Sequence, residues 1–158
     1  MENNYSVNTE NEEIYPMPFF VKLIVSDIDK SIEWYTTVLG FRSIFKMSNP
    51  ATKKIYMSHI RKEKYQDILL IAGEHDKTKQ SKDIIIYISY PKSIDELAEQ
   101  AKSSGAEIVA GPANTPWNMR EVTFRDPDGF VLTFGGITNA PVADTFDQTV
   151  KNISDSIK

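Results

Sequence analysis

The sequence predicts an α+β fold in which one βαβββ module, a strand, a helix and three further strands, occurs twice. Two observations lead there. The hydrophobic period changes between two and about 3.6 residues in the same order in each half of the chain. In addition, Ser31-Ile32-Glu33 in the first helical stretch is echoed by Ser93-Ile94-Asp95 in the second. At 158 residues the chain has room for one domain and two tails. The expected division is a flexible arm over 1–16, a domain over 17–137, and a helical tail over 138–158. The domain comprises module one (17–74) and module two (82–137).

The elements follow in order. Residues 1–16 are polar and acidic and offer little to bury. A strand is expected from Phe19, with Phe19, Val21, Leu23 and Val25 on one face and Phe20, Lys22 and Ile24 on the other. Asp27 is placed to cap a helix whose apolar stripe is Ile28, Ile32, Tyr35 and Leu39, and Gly40 to end it. The strand-like pieces FRSIFKM, KKIYMSHIR and QDILLIAG complete module one. Module two opens with DIIIYIS. Ser93 and Glu96 then read as a capping box for a helix striped by Ile94, Leu97, Ala98 and Ala101 and stopped by Gly105. EIVAGPA, WNMREVTFRD and GFVLTFGG follow, the last two joined by Asp126-Pro127-Asp128-Gly129, which suits a type I turn. GGIT reads as an exit turn. In the tail, Phe146, Val150, Ile153 and Ile157 share a helical stripe.

Composition excludes several classes. A net charge of −4 and a pI near 5.2 give no basic surface for nucleic acid. With no cysteine there is no disulfide, thiol nucleophile or thiolate metal site. No apolar run approaches a membrane span, and the N-terminus lacks the plan of a signal peptide, so a cytoplasmic protein is expected. Neither GxGxxG nor a phosphate-loop lysine motif occurs.

Two segments carry a family resemblance. VSDIDKSIEWYTTVLGF and PWNMREVTFRDPDGFVLTFG, in order and inside the duplicated pattern, resemble the vicinal-oxygen-chelate (glyoxalase / bleomycin resistance / dioxygenase) superfamily. The second segment looks most like the bleomycin-resistance branch, which does not use a metal. The resemblance covers Phe19 to Gly136. It implies paired modules, a homodimer, and, in the members that are enzymes, a divalent ion held by one His, Gln or Glu from each of four strands. The matching positions here are Phe20, about Leu69, about Ile85 and Thr133, none of which can replace such a set. Of the two histidines, His59 falls where the family does not place a ligand, and His75 sits in a charged linker. No metal and no other cofactor is expected.

Taking those positions as cleft-facing, alternation assigns the rest. The cleft receives Phe20, Lys22, Ile24, Asp67, Leu69, Ile71, Asp83, Ile85, Tyr87, Ser89, Glu121, Thr123, Val131 and Thr133. Phe19, Leu23, Ile84, Ile86, Val122, Phe124, Leu132 and Phe134 face the core. Tyr56 and His59 have opposite parity, and both stand as pocket candidates. Trp117 could stack on a planar ligand. Lys22 and Glu121 either neutralise each other or grip a ligand, and Arg120 turns away towards a structural salt bridge. The expected ligand-binding set is Phe20, Lys22, Ile24, Tyr56, His59, Leu69, Tyr87, Trp117, Glu121 and Thr133. The expected function is metal-independent binding and sequestration of a bulky, partly aromatic small molecule, an antibiotic in one form of the reading. The alternative is an enzyme of the same fold, a lyase, isomerase or dioxygenase, with Glu121 as base and Tyr87 or His59 as acid.

Overall fold

Two sheets, each carrying one helix, make up the computed structural model, which describes residues 15–74 and 84–138 and the backbone of 5–7. His75, Asp83 and the tail stripe of Phe146, Val150, Ile153 and Ile157 lie outside the described residues. Module one contributes β2 (Val21–Val25), α1 (Ile28–Thr37), β3 (Arg42–Ser48), β4 (Ile55–Arg61) and β5 (Asp67–Ala72). Module two contributes β6 (Ile85–Ser89), α2 (Ile94–Ser103), β7 (Glu107–Asn114), β8 (Met119–Arg125) and β9 (Val131–Ile137). With β1 (Tyr5–Val7) at one edge, the sheet orders are β1-β3-β4-β5-β2 and β6-β9-β8-β7. In each module the first strand pairs parallel with the last, and all other pairs are antiparallel.

Local chemistry sets the helix boundaries. The Asp27 side chain accepts from Lys30 N at 3.1 Å, and Ser93 Oγ from Glu96 N at 3.2 Å, each satisfying a free amide of the first turn. Gly40 and Gly105 take positive φ just beyond the helix ends, where a side chain would be strained. No basic residue stands in the last turn of α1. Lys62, from the loop after β4, donates instead to the carbonyl of Leu39, placing a cation at the negative end of the helix.

The helix-facing parity is the core. Leu23, Val25, Ile60 and Leu70 of the first sheet and Val122, Phe124, Leu132 and Phe134 of the second are buried with Ile32, Tyr35, Leu97 and Ala101 of the helices. Each such apolar side chain contributes roughly 1.5–3 kcal/mol of transfer free energy. Two expectations are corrected. Phe19 and Ile84 precede their strands instead of belonging to them, so neither packs in the core; they are 75% and 67% exposed. Gly135 and Gly136 are inside β9 and do not form an exit turn. Tyr5–Val7 form β1, antiparallel to β3 at the sheet edge.

The modules grip one another reciprocally, each offering the loop between its last two strands to the strand–helix junction of the other. Asp126-Pro127-Asp128-Gly129 makes the expected turn, Gly129 N donating to Asp126 O at 2.9 Å, and its two aspartates are buried while Pro127 is exposed. Asp128 accepts from Ser26 N, Ser26 Oγ and Ser31 Oγ at 3.1, 2.6 and 3.3 Å. Asp126 accepts from the buried Tyr35 hydroxyl at 2.8 Å and from Asp128 N and Phe130 N of its own turn. From the other side, Gln66 Nε2 donates to Ser89 O at 2.6 Å, and the Lys62 ammonium lies 5.0 Å from the Tyr90 ring centre.

Candidate small-molecule site

On the helix-free face of the second sheet, register brings the polar residues together. β6, β9 and β8 align Tyr87 with Thr133 and Thr123, and one step along align Ser89 with Gly135 and Glu121. These two rows share a face. The Tyr87 side chain crosses the bare backbone of Gly135, and its hydroxyl donates to Glu121 Oε1 at 3.0 Å. A Cβ at position 135 would collide with that hydroxyl, so glycine is required for the crossing. The turn before β8 delivers Trp117. Thr115 N bonds Met119 O at 2.7 Å, Asn118 takes the left-handed conformation that Asn tolerates, and Trp117 Nε1 reaches Glu121 Oε1 at 3.0 Å. One carboxylate oxygen is therefore held by two aromatic donors. Both rings stay about half exposed, at 49% for Tyr87 and 52% for Trp117. Burial, and then the adjacent Glu121 carboxylate, push the Tyr87 hydroxyl up to about 12, so it remains a donor at neutral pH. Thr133 is buried and hydrogen-bonded to Thr123, Oγ to Oγ at 2.8 Å.

The first sheet holds a second polar group on its corresponding face. Register aligns Lys22, Leu69, His59 and Phe45 in one row, and Ile24, Ile71, Met57 and Met47 in the next. The parity left open by the sequence is thereby decided. His59 shares the face of Lys22, Ile24 and Leu69, whereas Tyr56 falls on the opposite face with Ser58 and Ile60. His59 is buried, with its Nε2 2.7 Å from Asp67 Oδ1. Arg61 Nε donates to the same oxygen at 2.7 Å, and the Tyr15 hydroxyl to Oδ2 at 2.8 Å. The Tyr15 ring lies 4.2 Å from the Arg61 guanidinium carbon. Burial raises the Asp67 carboxyl, but hydrogen bonds from Arg61, His59 and Tyr15 outweigh it and hold Asp67 below its ordinary value. The sequence placed Asp67 on the cleft face without its partners; a salt bridge six residues apart and a tyrosine from the N-terminal arm leave no short motif.

Lys22 is exposed, 6.0 Å from the Phe20 ring centre, and among the described residues no ion pair joins it to Glu121. Arg120 turns away as expected, with Nε and Nη2 donating to Asp95 of α2 at 2.7 and 2.6 Å. Phe20 is half-buried, Leu69 buried and Ile85 56% exposed. Together with Thr133 these residues offer one engaged hydroxyl and no carboxylate or imidazole. They do not fit a divalent cation. Among the described residues no three His, Asp or Glu side chains are grouped as a cation would require.

A sequence profile of the glyoxalase/bleomycin resistance protein/dioxygenase superfamily matches residues 19–134. Solved structures with similar folds include TioX from Micromonospora sp. ML1, at 21% identity and TM-score 0.61, covering 75% of this chain and 96% of that one. A variant of the fosfomycin resistance protein FosX from Listeria monocytogenes, complexed with Mn(II) and 1S,2S-dihydroxypropylphosphonic acid, matches at 18% identity and TM-score 0.57. It covers 85% of this chain and 94% of that one. A virulence protein from Salmonella typhimurium matches at 21% identity and TM-score 0.57, with 80% and 100% covered.

Proposed function

This chain belongs to the glyoxalase/bleomycin resistance protein/dioxygenase superfamily, and within it we propose a metal-independent binder that sequesters a bulky, partly aromatic small molecule. The observation that carries this reading is Glu121, whose carboxylate is held by Tyr87 and Trp117 between two half-exposed rings. A negative acceptor flanked by aromatic faces suits a flat ligand with an amine or another N–H donor. The oriented carboxylate binds without further chemistry, and no cation is needed to complete it. Resistance to an aromatic antibiotic by sequestration in the cytoplasm, in the manner of the bleomycin-resistance branch, is the biological form of this proposal. The structurally similar FosX is named for fosfomycin resistance and was solved with Mn(II); the proposal takes up the resistance role and sets the metal aside, because the residues at those positions here do not fit a cation. A homodimer is part of the reading, because Ile24, Ile85 and Ile137 expose apolar surface that a second chain could cover.

The test is calorimetric titration and thermal shift against a panel of aromatic antibiotics. A bound ligand raises the melting temperature by linkage, and Trp117→Ala or Glu121→Gln weakens it by about tenfold or more. Stoichiometric nickel, zinc, manganese or iron in the purified protein would overturn the reading.

One observation favours an enzyme instead: the His59–Asp67 contact is the arrangement in which a carboxylate orients an imidazole for proton transfer. In that case the ligand would be consumed, and His59→Gln would abolish turnover while leaving binding within about threefold.

A further inference from the structure

The strands of the second sheet carry two basic side chains, and both are committed away from Glu121. Arg120 is bonded to Asp95 and Asn114, and Arg125, on the same face as Glu121, pairs with Glu107 at 3.1 Å. Among the described residues no lysine, arginine or histidine reaches the Glu121 carboxylate; its two partners, the Tyr87 hydroxyl and the Trp117 indole, are neutral. Tyr87 stays protonated at neutral pH, since burial and the carboxylate push its hydroxyl up to about 12. Two neutral donors on one oxygen give the carboxylate a direction but no counter-charge. What the site lacks is positive charge, not hydrogen-bond donors.

The second oxygen is open. Oε2 accepts no hydrogen bond among the described residues, and it is not buried. On the sheet, Glu121 stands between Ala113, which is short and exposed, and Gly135, over which the Tyr87 side chain passes. Tyr87 and Trp117 each place a polar atom on Oε1 and leave about half of the side chain exposed, so a charge seated on Oε2 has aromatic surface close by. An exposed carboxylate alone discriminates weakly, because water screens it. Aromatic rings beside it keep water from part of its surroundings and themselves attract a cation.

We propose that the ligand of this face is an organic cation, an ammonium group next to an aromatic ring, recognised by its charge and not by an N–H. This rests on the reading of the Tyr87–Trp117–Glu121 face as a ligand site, and it narrows the ligand from any N–H donor to cations, quaternary ammonium included. The net charge of −4 favours the approach of such a ligand.

The test compares three soluble probes that share one ring. Benzylammonium carries charge and N–H, benzyltrimethylammonium carries charge without N–H, and benzyl alcohol carries a donor without charge. Each is titrated into the full chain while the Trp117 indole N–H is followed by NMR; Trp34, the other tryptophan, packs against the core from α1 and serves as the internal control. Both cations should bind about tenfold more tightly than the alcohol, the combined effect of an exposed ion pair and a cation–ring contact. Glu121→Gln keeps an acceptor for Tyr87 and Trp117 but removes the charge, and should bring all three probes within about twofold of one another. Raising the ionic strength from about 0.01 M to about 1 M should weaken the two cations and leave the alcohol unchanged, a comparison that needs no variant. Tight binding of benzylammonium alone would overturn the proposal and leave the face standing as a site that reads an N–H. Equal affinity of the three probes would also overturn it, as would a cation preference that survives Glu121→Gln in a folded protein. No movement of the Trp117 signal with any probe would remove the proposal and the ligand site together.

Discussion

Asp67 shows how much one buried carboxylate can organise. It joins Arg61, His59 and Tyr15, and so ties a strand pair to the N-terminal segment. Asp67→Asn keeps the shape but removes the buried charge to which Arg61, His59 and Tyr15 are bonded, which costs about 3 kcal/mol; urea unfolding at pH 7 measures it. The pH dependence follows from the sign of the shift. Asp67 is depressed in the folded chain, so its contribution is complete above the ordinary carboxylate value of about 3.9 and is lost as pH falls through the lower folded value. The gap in stability between wild type and Asp67→Asn should therefore close in acid. At the other site, Gly135→Ala should displace the Tyr87 hydroxyl and break its bond to Glu121. Ligand affinity is expected to fall about tenfold, with little loss of stability because the clash falls at the end of a side chain that can rotate away.

Among the elements, the helices were well marked in the sequence and the strand ends were not. Asp27, Ser93, Gly40 and Gly105 stand where caps and stops were expected, since capping depends on neighbours in the chain. Ser93→Ala should cost about 1 kcal/mol, read as a lower urea midpoint with an unchanged slope. Strand parity was equally clear wherever one face is buried, as in Val122, Phe124, Leu132 and Phe134. Phe19 and Ile84 looked like core because alternation continues past the last paired residue, and only ladder hydrogen bonds show where pairing stops.

For the molecule as a whole, the junction between modules rests on Asp126 and Asp128. The turn they form was evident in the chain, but the burial of its aspartates against Ser26, Ser31 and Tyr35, about a hundred residues away, was not. Asp128→Ala removes the acceptor of three hydrogen bonds from Ser26 and Ser31 that join the modules, so the melting temperature should fall by several degrees. Scanning calorimetry should still give one cooperative transition, because side chains of both modules belong to one continuous core. Two transitions would mean that the modules unfold independently.

The amino-acid order alone determined the duplicated α+β architecture, the helices with their caps, and the facing of most strand residues, because each depends on periodicity or on chemistry within a few positions. Only the tertiary structure decided that His59 and not Tyr56 shares a face with Lys22 and Leu69, and that Glu121 is held by Tyr87 and Trp117 instead of by Lys22. The bare passage at Gly135 was likewise settled there. These are matters of register and of contact between distant segments, and a hydrogen bond across sheets or modules leaves no trace in the local order of side chains.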